Sequence, residues 1–316
     1  MREVLGKKIA VVGGAGFLGS HLCEYLVANG CEVHVFDNLV SGRREFLPKG
    51  VTLHMLDISR ELGRMVDLFI RKEIDYVFNY AALPFIPDCL EEPLRAVEVN
   101  TIGAMHVLEA SRIAEVDGVM MVTSAEVYGN SADGEIEPVS TYACSKAAID
   151  LITQARIAET GVPAIILRQF NCIGERETHP YVVPEIISQV ERELQSTKDV
   201  TVYLGTNTYR DFMYAGDAVI AAVRLMEGAT LGNWFELGSQ QPIQIYTLAR
   251  MIGKLMGADS VKIEHDQTRV RPTEVGYLRA QPDFEDELGF DPNTTSFETA
   301  LQRTIADYRA NGWSWE

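Results

Sequence analysis

The sequence predicts a doubly wound α/β fold: a parallel sheet with helices on both faces, joined to a smaller carboxyl-terminal α/β lobe. Three observations carry this reading. Short β-branched runs alternate with segments of helical periodicity. The first run, Ile9 to Val12, leads into glycines at 13, 16 and 19. The second, Glu32 to Phe36, ends on Asp37, about 20 residues past the glycine turn, the spacing of a dinucleotide-binding unit.

Each element has a local reason. Ile9–Val12 is wholly apolar, as a buried strand is. The three glycines divide the work of the turn after it. Gly13 permits a sharp reversal, Gly16 lets backbone approach a pyrophosphate, and Gly19 lets helix lie close to strand. Ser20–Ala28 continues as a helix whose free N–H groups and partial positive charge favour phosphate. Phe17 and Leu18 fall inside the turn and count with the glycines as cofactor contacts.

Asp37 can accept hydrogen bonds from the adenosine ribose hydroxyls and repels a 2′-phosphate, which favours NAD over NADP. Arg43 and Arg44 stand near enough in sequence to oppose that preference, and Asn38 sits beside the ribose. Val51–Leu56 is the third strand, and the Asp57-Ile58 pair after it is placed to flank an adenine. A helix over 61–73 and a fourth strand, Tyr76–Asn79, follow. Ala81 and Ala82 are small where the cofactor must pass close. Pro84, Pro87 and Pro93 predict a loop, before a long helix over 94–115 that carries Asn100.

Val119–Val122 is the fifth strand and runs into Thr123-Ser124. A polar loop over 130–140 leads to a helix over Thr141–Glu159, then to a sixth strand, Ala164–Leu167. Helices over 183–197, 217–227, 246–256 and 296–311 remain, with strands over 200–204 and 233–237. Residues 1–170 thus form the nucleotide-binding unit, its sheet completed by parts of 200–240. Residues 171–316 supply most of a lobe over the carboxyl ends of the strands, where such sheets bind ligands.

Composition narrows the function. A formal charge of −17 over 316 residues disfavours nucleic acid and anionic membranes as partners. It leaves room for a small anionic substrate held by local arginines. Five scattered cysteines without a CxxC pair or Cys/His cluster predict reduced thiols, a cytoplasmic protein and no metal site. The absence of a signal peptide and of any apolar run near ~18 residues predicts no membrane segment.

Chemistry enters at Tyr142 and Lys146, which share a helix face. A lysine ammonium beside a phenol favours the phenolate, so Tyr142 is expected to act as a base below its ordinary range near ~10. Ser124, at the end of the fifth strand, is positioned to hydrogen-bond the same substrate hydroxyl. Glu126 lies two residues further along and faces the same side of an extended segment.

With these motifs in place the chain resembles the extended short-chain dehydrogenase/reductase superfamily, specifically its NAD-dependent nucleotide-sugar epimerases and dehydratases. The resemblance runs through Gly13–Gly19, Asp37-Asn38, Asp57-Ile58, Asn79–Ala82, Asn100, Ser124, Val127–Gly129 and Tyr142–Lys146. It continues through Arg168–Asn171, Arg210–Tyr214 with Asp217, and Arg271–Val275. It implies tightly held NAD, with Asn100 among the cofactor residues, and a nucleoside-diphosphate-sugar substrate. It also implies a Tyr–Lys–Ser site and a homodimer that pairs the helices over 94–115 and 141–159. Asn171, Arg210 and Arg271 match positions that contact the nucleotide and its diphosphate, for which guanidinium is suited.

The implied chemistry begins with Tyr142 taking a hydroxyl proton as hydride passes from the sugar C4 to NAD, and then divides. An epimerase returns the hydride to the other face, a 4,6-dehydratase expels the C6 hydroxyl, and a decarboxylase loses carbon dioxide. Glu126, in Ser-Ala-Glu, looks like the Thr-Asp-Glu or Thr-Ser-Glu of dehydratases and decarboxylases. That favours a 4,6-dehydratase, with a 4-epimerase as the alternative. A UDP-glucuronate-type decarboxylase and a non-catalytic NAD(H)-binding regulator stand further off. Ala125 departs from the pattern: similar dehydratases carry an acid or hydroxyl there, and alanine has no proton to donate. Cys172 and Ile173 stand where an aromatic residue is common, which alters the sugar pocket.

Overall fold

A computed structural model describes residues 2–178, 180–281 and 289–312. The first half of the chain contains β1 (Lys8–Val12), α1 (Phe17–Ala28), β2 (Glu32–Asp37), β3 (Val51–Met55), α2 (Leu62–Lys72) and β4 (Tyr76–Asn79). Next come α3 (Ile86–Glu91), α4 (Pro93–Val97), α5 (Ala104–Ile113), β5 (Gly118–Val122), α6 (Thr141–Thr160) and β6 (Ala164–Gln169). The second half contains β7 (Asn171–Ile173), α7 (Val182–Glu193), β8 (Asp199–Leu204), β9 (Tyr209–Tyr214), α8 (Ala215–Gly228) and β10 (Trp234–Leu237). It ends with β11 (Pro242–Gln244), α9 (Ile245–Met256), β12 (Ser260–His265) and α10 (Phe297–Asn311).

Seven strands form one sheet in the order β10-β6-β5-β4-β1-β2-β3, parallel throughout. Successive residues of β1 serve opposite faces, as a strand requires. Ile9 and Val11 pack with α1 and α8, while Ala10 and Val12 pack with α2 and α5. The chain runs outward in one direction through β2 and β3 and in the other through β4, β5 and β6. This reversal beside β1 opens a crevice at the carboxyl ends of the strands, the place where such sheets bind ligands.

A third core gathers α7, α9, α10, β8 and β9. Here β9 lies between β7 and β11 in a three-stranded sheet, and β8 pairs with β12 in a separate two-stranded one. Of the two late strands predicted, 233–237 joins the large sheet and 200–204 does not. Strands β7, β9, β11 and β12 are additional to those predicted. The proline-bearing segment is not all loop: Pro87 and Pro93 sit in the first turns of α3 and α4, where a missing N–H costs nothing. The long helix expected over 94–115 is interrupted by a wider π-helical stretch, Glu98–Gly103. Among the described residues no helix is long and apolar enough to cross a membrane.

Candidate active site

A continuous cavity of about 990 Å³ runs along the crevice, bordered at one end by Asp37 and at the other by Arg210 and Arg271. At its first end the glycines act as the sequence suggests. Gly13 has φ +76°, and a side chain there would meet the Ala81 backbone N at 2.5 Å. A side chain at Gly19 would run into the Gly13 carbonyl. Helix α1 begins at Phe17, three residues earlier than predicted, with no side chain capping it. Gly13, Gly16, Phe17, Leu18 and Gly19 all border the cavity, so an uncapped helix start faces a ligand site.

Asp37 is held from two sides. Its Oδ2 accepts from Ala15 N (3.0 Å) and its Oδ1 from Leu39 N (2.8 Å). Burial pushes this carboxyl up, and these N–H groups oppose the shift. Asn38 borders the cavity beside it, its Oδ1 accepting from Val40 N. Arg43 and Arg44 do not border the cavity, whereas Ser41 and Gly42 do. Asp57, Ile58, Ala81 and Ala82 line the same stretch. The Asp57 carboxylate accepts from Ser59 and from Arg95 (3.1 Å).

Asn100 lies behind the cavity wall: it does not border the cavity and is fully buried. Its Oδ1 accepts from Leu83 N (2.7 Å), and its Nδ2 donates to Leu83 O and Ser145 Oγ. The amide is occupied in clamping the loop after β4 to α6, so it braces the wall from behind. The remaining set fits a dinucleotide: a cradle that a Cβ at Gly13 would jam, an uncapped helix start, and an anchored carboxylate.

Further along, Ser124, Glu126, Tyr142 and Lys146 border the cavity together. Ser124 follows β5 and accepts from Glu126 N (3.2 Å), capping a short turn, Ala125–Tyr128. Tyr142 lies in the first turn of α6, which Ser140 caps. Burial pushes the Tyr142 phenol up, and a hydrogen bond with Ser124 works against that. Lys146 Nζ donates to the Val122 carbonyl (3.0 Å), and burial pulls its ammonium down to about 8. This differs from the expected lysine-stabilised phenolate. Desolvation penalises the charged form of both groups, the phenolate of Tyr142 and the ammonium of Lys146.

Glu126 is raised by burial, with Arg210 and then Arg271 pulling the other way. Both guanidinium groups converge on Glu274. Arg210 Nη2 and Arg271 Nη2 each donate to its Oε1 at 2.8 Å, and Arg271 Nε reaches Oε2 at 3.1 Å. Arg210 Nη1 is also fixed by the Val275 carbonyl (2.8 Å). Asn171 borders the cavity from β7. Sequence reasoning left unassigned three further groups on this wall: Glu177, Tyr181 and Glu274. The acidic run Glu175-Arg-Glu177 directly after β7 is the one local hint of the first.

Fold and cavity together define a dinucleotide-binding type of site on a doubly wound sheet. A profile of the NAD dependent epimerase/dehydratase family matches residues 9–238, and the chain belongs to that family, with NAD as its cofactor. The dTDP-glucose 4,6-dehydratase of Mycolicibacterium smegmatis is 29% identical over 98% of this chain and 95% of its own. UDP-glucuronic acid decarboxylase 1 of Xenopus tropicalis is 28% identical over 96% of this chain and 72% of its own. The solved UDP-glucose 4-epimerase of Thermus thermophilus, in complex with NAD, is 27% identical, with a TM-score of 0.83 over 96% of this chain and 99% of that one. Relatives of nearly equal identity thus carry three different reactions on nucleotide sugars.

Proposed function

We propose that this protein is a nucleoside-diphosphate-sugar 4,6-dehydratase working through a 4-keto sugar. The observation that carries the reading is the Glu126 carboxyl, half-buried on the same stretch of cavity wall as Ser124 and Tyr142. Gly13, Gly16, Phe17, Leu18, Gly19, Asp37, Asn38, Asp57, Ile58, Ala81 and Ala82 would hold NAD, which when bound accepts a hydride and returns one. Tyr142 takes the proton of the C4 hydroxyl, and Ser124 hydrogen-bonds the same oxygen. A C4 ketone acidifies the neighbouring C5–H, and Glu126 removes that proton. Burial helps here, because a carboxylate raised by desolvation is a stronger base. Asn171, Arg210 and Arg271 bind the diphosphate, the arginines being preset by Glu274.

Ala125 favours a second reading, a 4-epimerase, because an alanine cannot protonate a leaving hydroxyl. Reaction in deuterated water separates the two. Dehydration puts deuterium at C5 and removes one water, and Glu126→Gln should abolish both while a 4-keto sugar accumulates. An unmodified enzyme whose product is isomeric and free of deuterium would establish epimerisation instead.

We also propose a homodimer and a cytoplasmic setting. Leu94 is 80% exposed, and Val97, Ile102, Met105 and Leu151 are exposed on the neighbouring helices. An apolar surface of this kind suits a second copy of the chain. Light scattering at micromolar concentration should return twice the chain mass, and a monomer mass would remove the proposal. The five unpaired thiols suit a reducing compartment.

A further inference from the structure

A hydroxyl leaves carbon at neutral pH only with a proton from an acid within reach. Ala125 has none, and Glu126 must start as a carboxylate to take the C5 proton. The cavity wall carries a second carboxyl. Glu177 lies in the turn after β7, is 7% exposed and borders the cavity shared by Ser124, Glu126 and Tyr142. It accepts the backbone N–H of Gly174, and its Oε2 has no partner among the described residues.

Among those residues no cation compensates it. The adjacent Arg176 turns its guanidinium to Glu24, at 2.8 and 2.7 Å. A carboxyl buried without a counter-charge is held in its acid form, and burial pushes Glu177 well above the ordinary carboxylate range. Tyr181 feels the charges of both Tyr142 and Glu177, while Glu126 acts on Tyr142 directly. The two carboxyls thus flank a pair of neighbouring phenols on one cavity wall, Glu126 beside Tyr142 and Glu177 beside Tyr181. Glu126 is opposed by two arginines, and Glu177 is opposed by none among the described residues. Burial raises both carboxyls, and arginines moderate the rise at Glu126 alone, a difference that makes Glu126 the better base and Glu177 the better acid.

The turn is firmly placed. Arg176 N donates to Asp307 (2.7 Å), the His21 ring donates to the Glu175 carbonyl (2.8 Å), and Tyr214 donates to the Glu175 carboxylate (2.9 Å).

We infer that Glu177 is the acid of the elimination, protonating the C6 oxygen as Glu126 takes the C5 proton; the inference rests on the dehydratase reading. The C5–H bond breaks and its electron pair forms the C5–C6 double bond as the C6–O bond breaks. The oxygen leaves as water with the Glu177 proton. Hydride returned to C6 and a proton delivered to C5 by Glu126, after its carboxyl has exchanged with solvent, complete the 6-deoxy sugar, and Glu177 regains a proton from solvent.

Glu177→Gln keeps the size and hydrogen bonding of the side chain without its acidic proton. In deuterated water the variant should still form the 4-keto sugar and exchange C5, yet lose water at least ~10²-fold more slowly. Glu177→Asp should recover part of the rate. In Glu126→Gln, by contrast, C5 exchange itself stops. Water loss at the unmodified rate in Glu177→Gln overturns the inference, and so does loss of C5 exchange or of NAD binding, which would mark a structural or cofactor role. A deuterium-free product from the unmodified enzyme is a different failure, that of the dehydratase reading.

Discussion

The two ends of the cavity, one proposed for NAD and the other for the sugar, are built by different means. At the NAD end the backbone does the work: a left-handed Gly13 against Ala81, an uncapped α1, and an Asp37 whose two oxygens are already held by main-chain N–H groups. At the sugar end side chains do it. Glu126, Tyr142, Lys146 and Glu177 are titratable groups displaced from their ordinary ranges, each mainly by desolvation. Backbone recognition tolerates pH and needs little beyond a local motif. Buried titratable groups cost stability, and the cost is what makes them reactive.

Two substitutions test whether that cost is real. Tyr142→Phe should lower kcat by at least ~10²-fold, the scale of a lost general base, with the melting temperature nearly unchanged. Near-normal turnover would remove Tyr142 from the mechanism. Lys146→Met should also slow the enzyme while stabilising the fold. Burial takes the Lys146 ammonium from 10.5 to about 8, so the folded protein binds this proton less tightly than the unfolded chain. A group depressed in this way favours folding above pH 10.5 and opposes it as pH falls through 8. At pH 7 methionine therefore relieves a penalty on the order of 1–3 kcal/mol, less about 1 kcal/mol for leaving the Val122 carbonyl unpaired. Denaturant unfolding at about pH 7 and about pH 10.5 checks this: the advantage of the variant should shrink toward the higher pH. A variant less stable at neutral pH would mean that the ammonium gains more from its surroundings than burial takes away.

The same division explains what could be read from residues alone. The heart of the NAD end, Gly13–Gly19 and Asp37, lies within one strand–turn–helix and the strand after it, so its chemistry and spacing are adjacent in sequence. The sugar end is assembled from segments near 124, 142, 171–181, 210 and 271–274, and only the fold brings them together. Glu177 looks like any surface glutamate of a short charged turn until its missing counter-charge is seen. Strand β9 was hidden because it carries Arg210 and Asp211 inward. The Asp211 carboxylate is satisfied by N–H groups of Ser239, Gln240 and Ala280, far away in sequence. Asn100 shows the same long reach, its amide bonded to Leu83 and Ser145.

The smallest expected effect sharpens the NAD end. Asp37 stands at the tip of β2 with its carboxylate anchored to Ala15 N and Leu39 N. A 2′-phosphate placed against it would meet a negative charge that cannot swing away. Ser41 and Gly42, not Arg43 or Arg44, border the cavity nearby. The unmodified protein should therefore bind NAD far better than NADP. Asp37→Asn removes the charge at nearly constant size and keeps one acceptor oxygen. It should narrow the ratio of the two affinities about tenfold, roughly 1.4 kcal/mol, chiefly by letting NADP bind. Titration calorimetry with both dinucleotides measures it. Equal affinities in the unmodified protein would mean that Arg43 or Arg44 reaches the phosphate after all, and that side chains as well as backbone set the choice at this end.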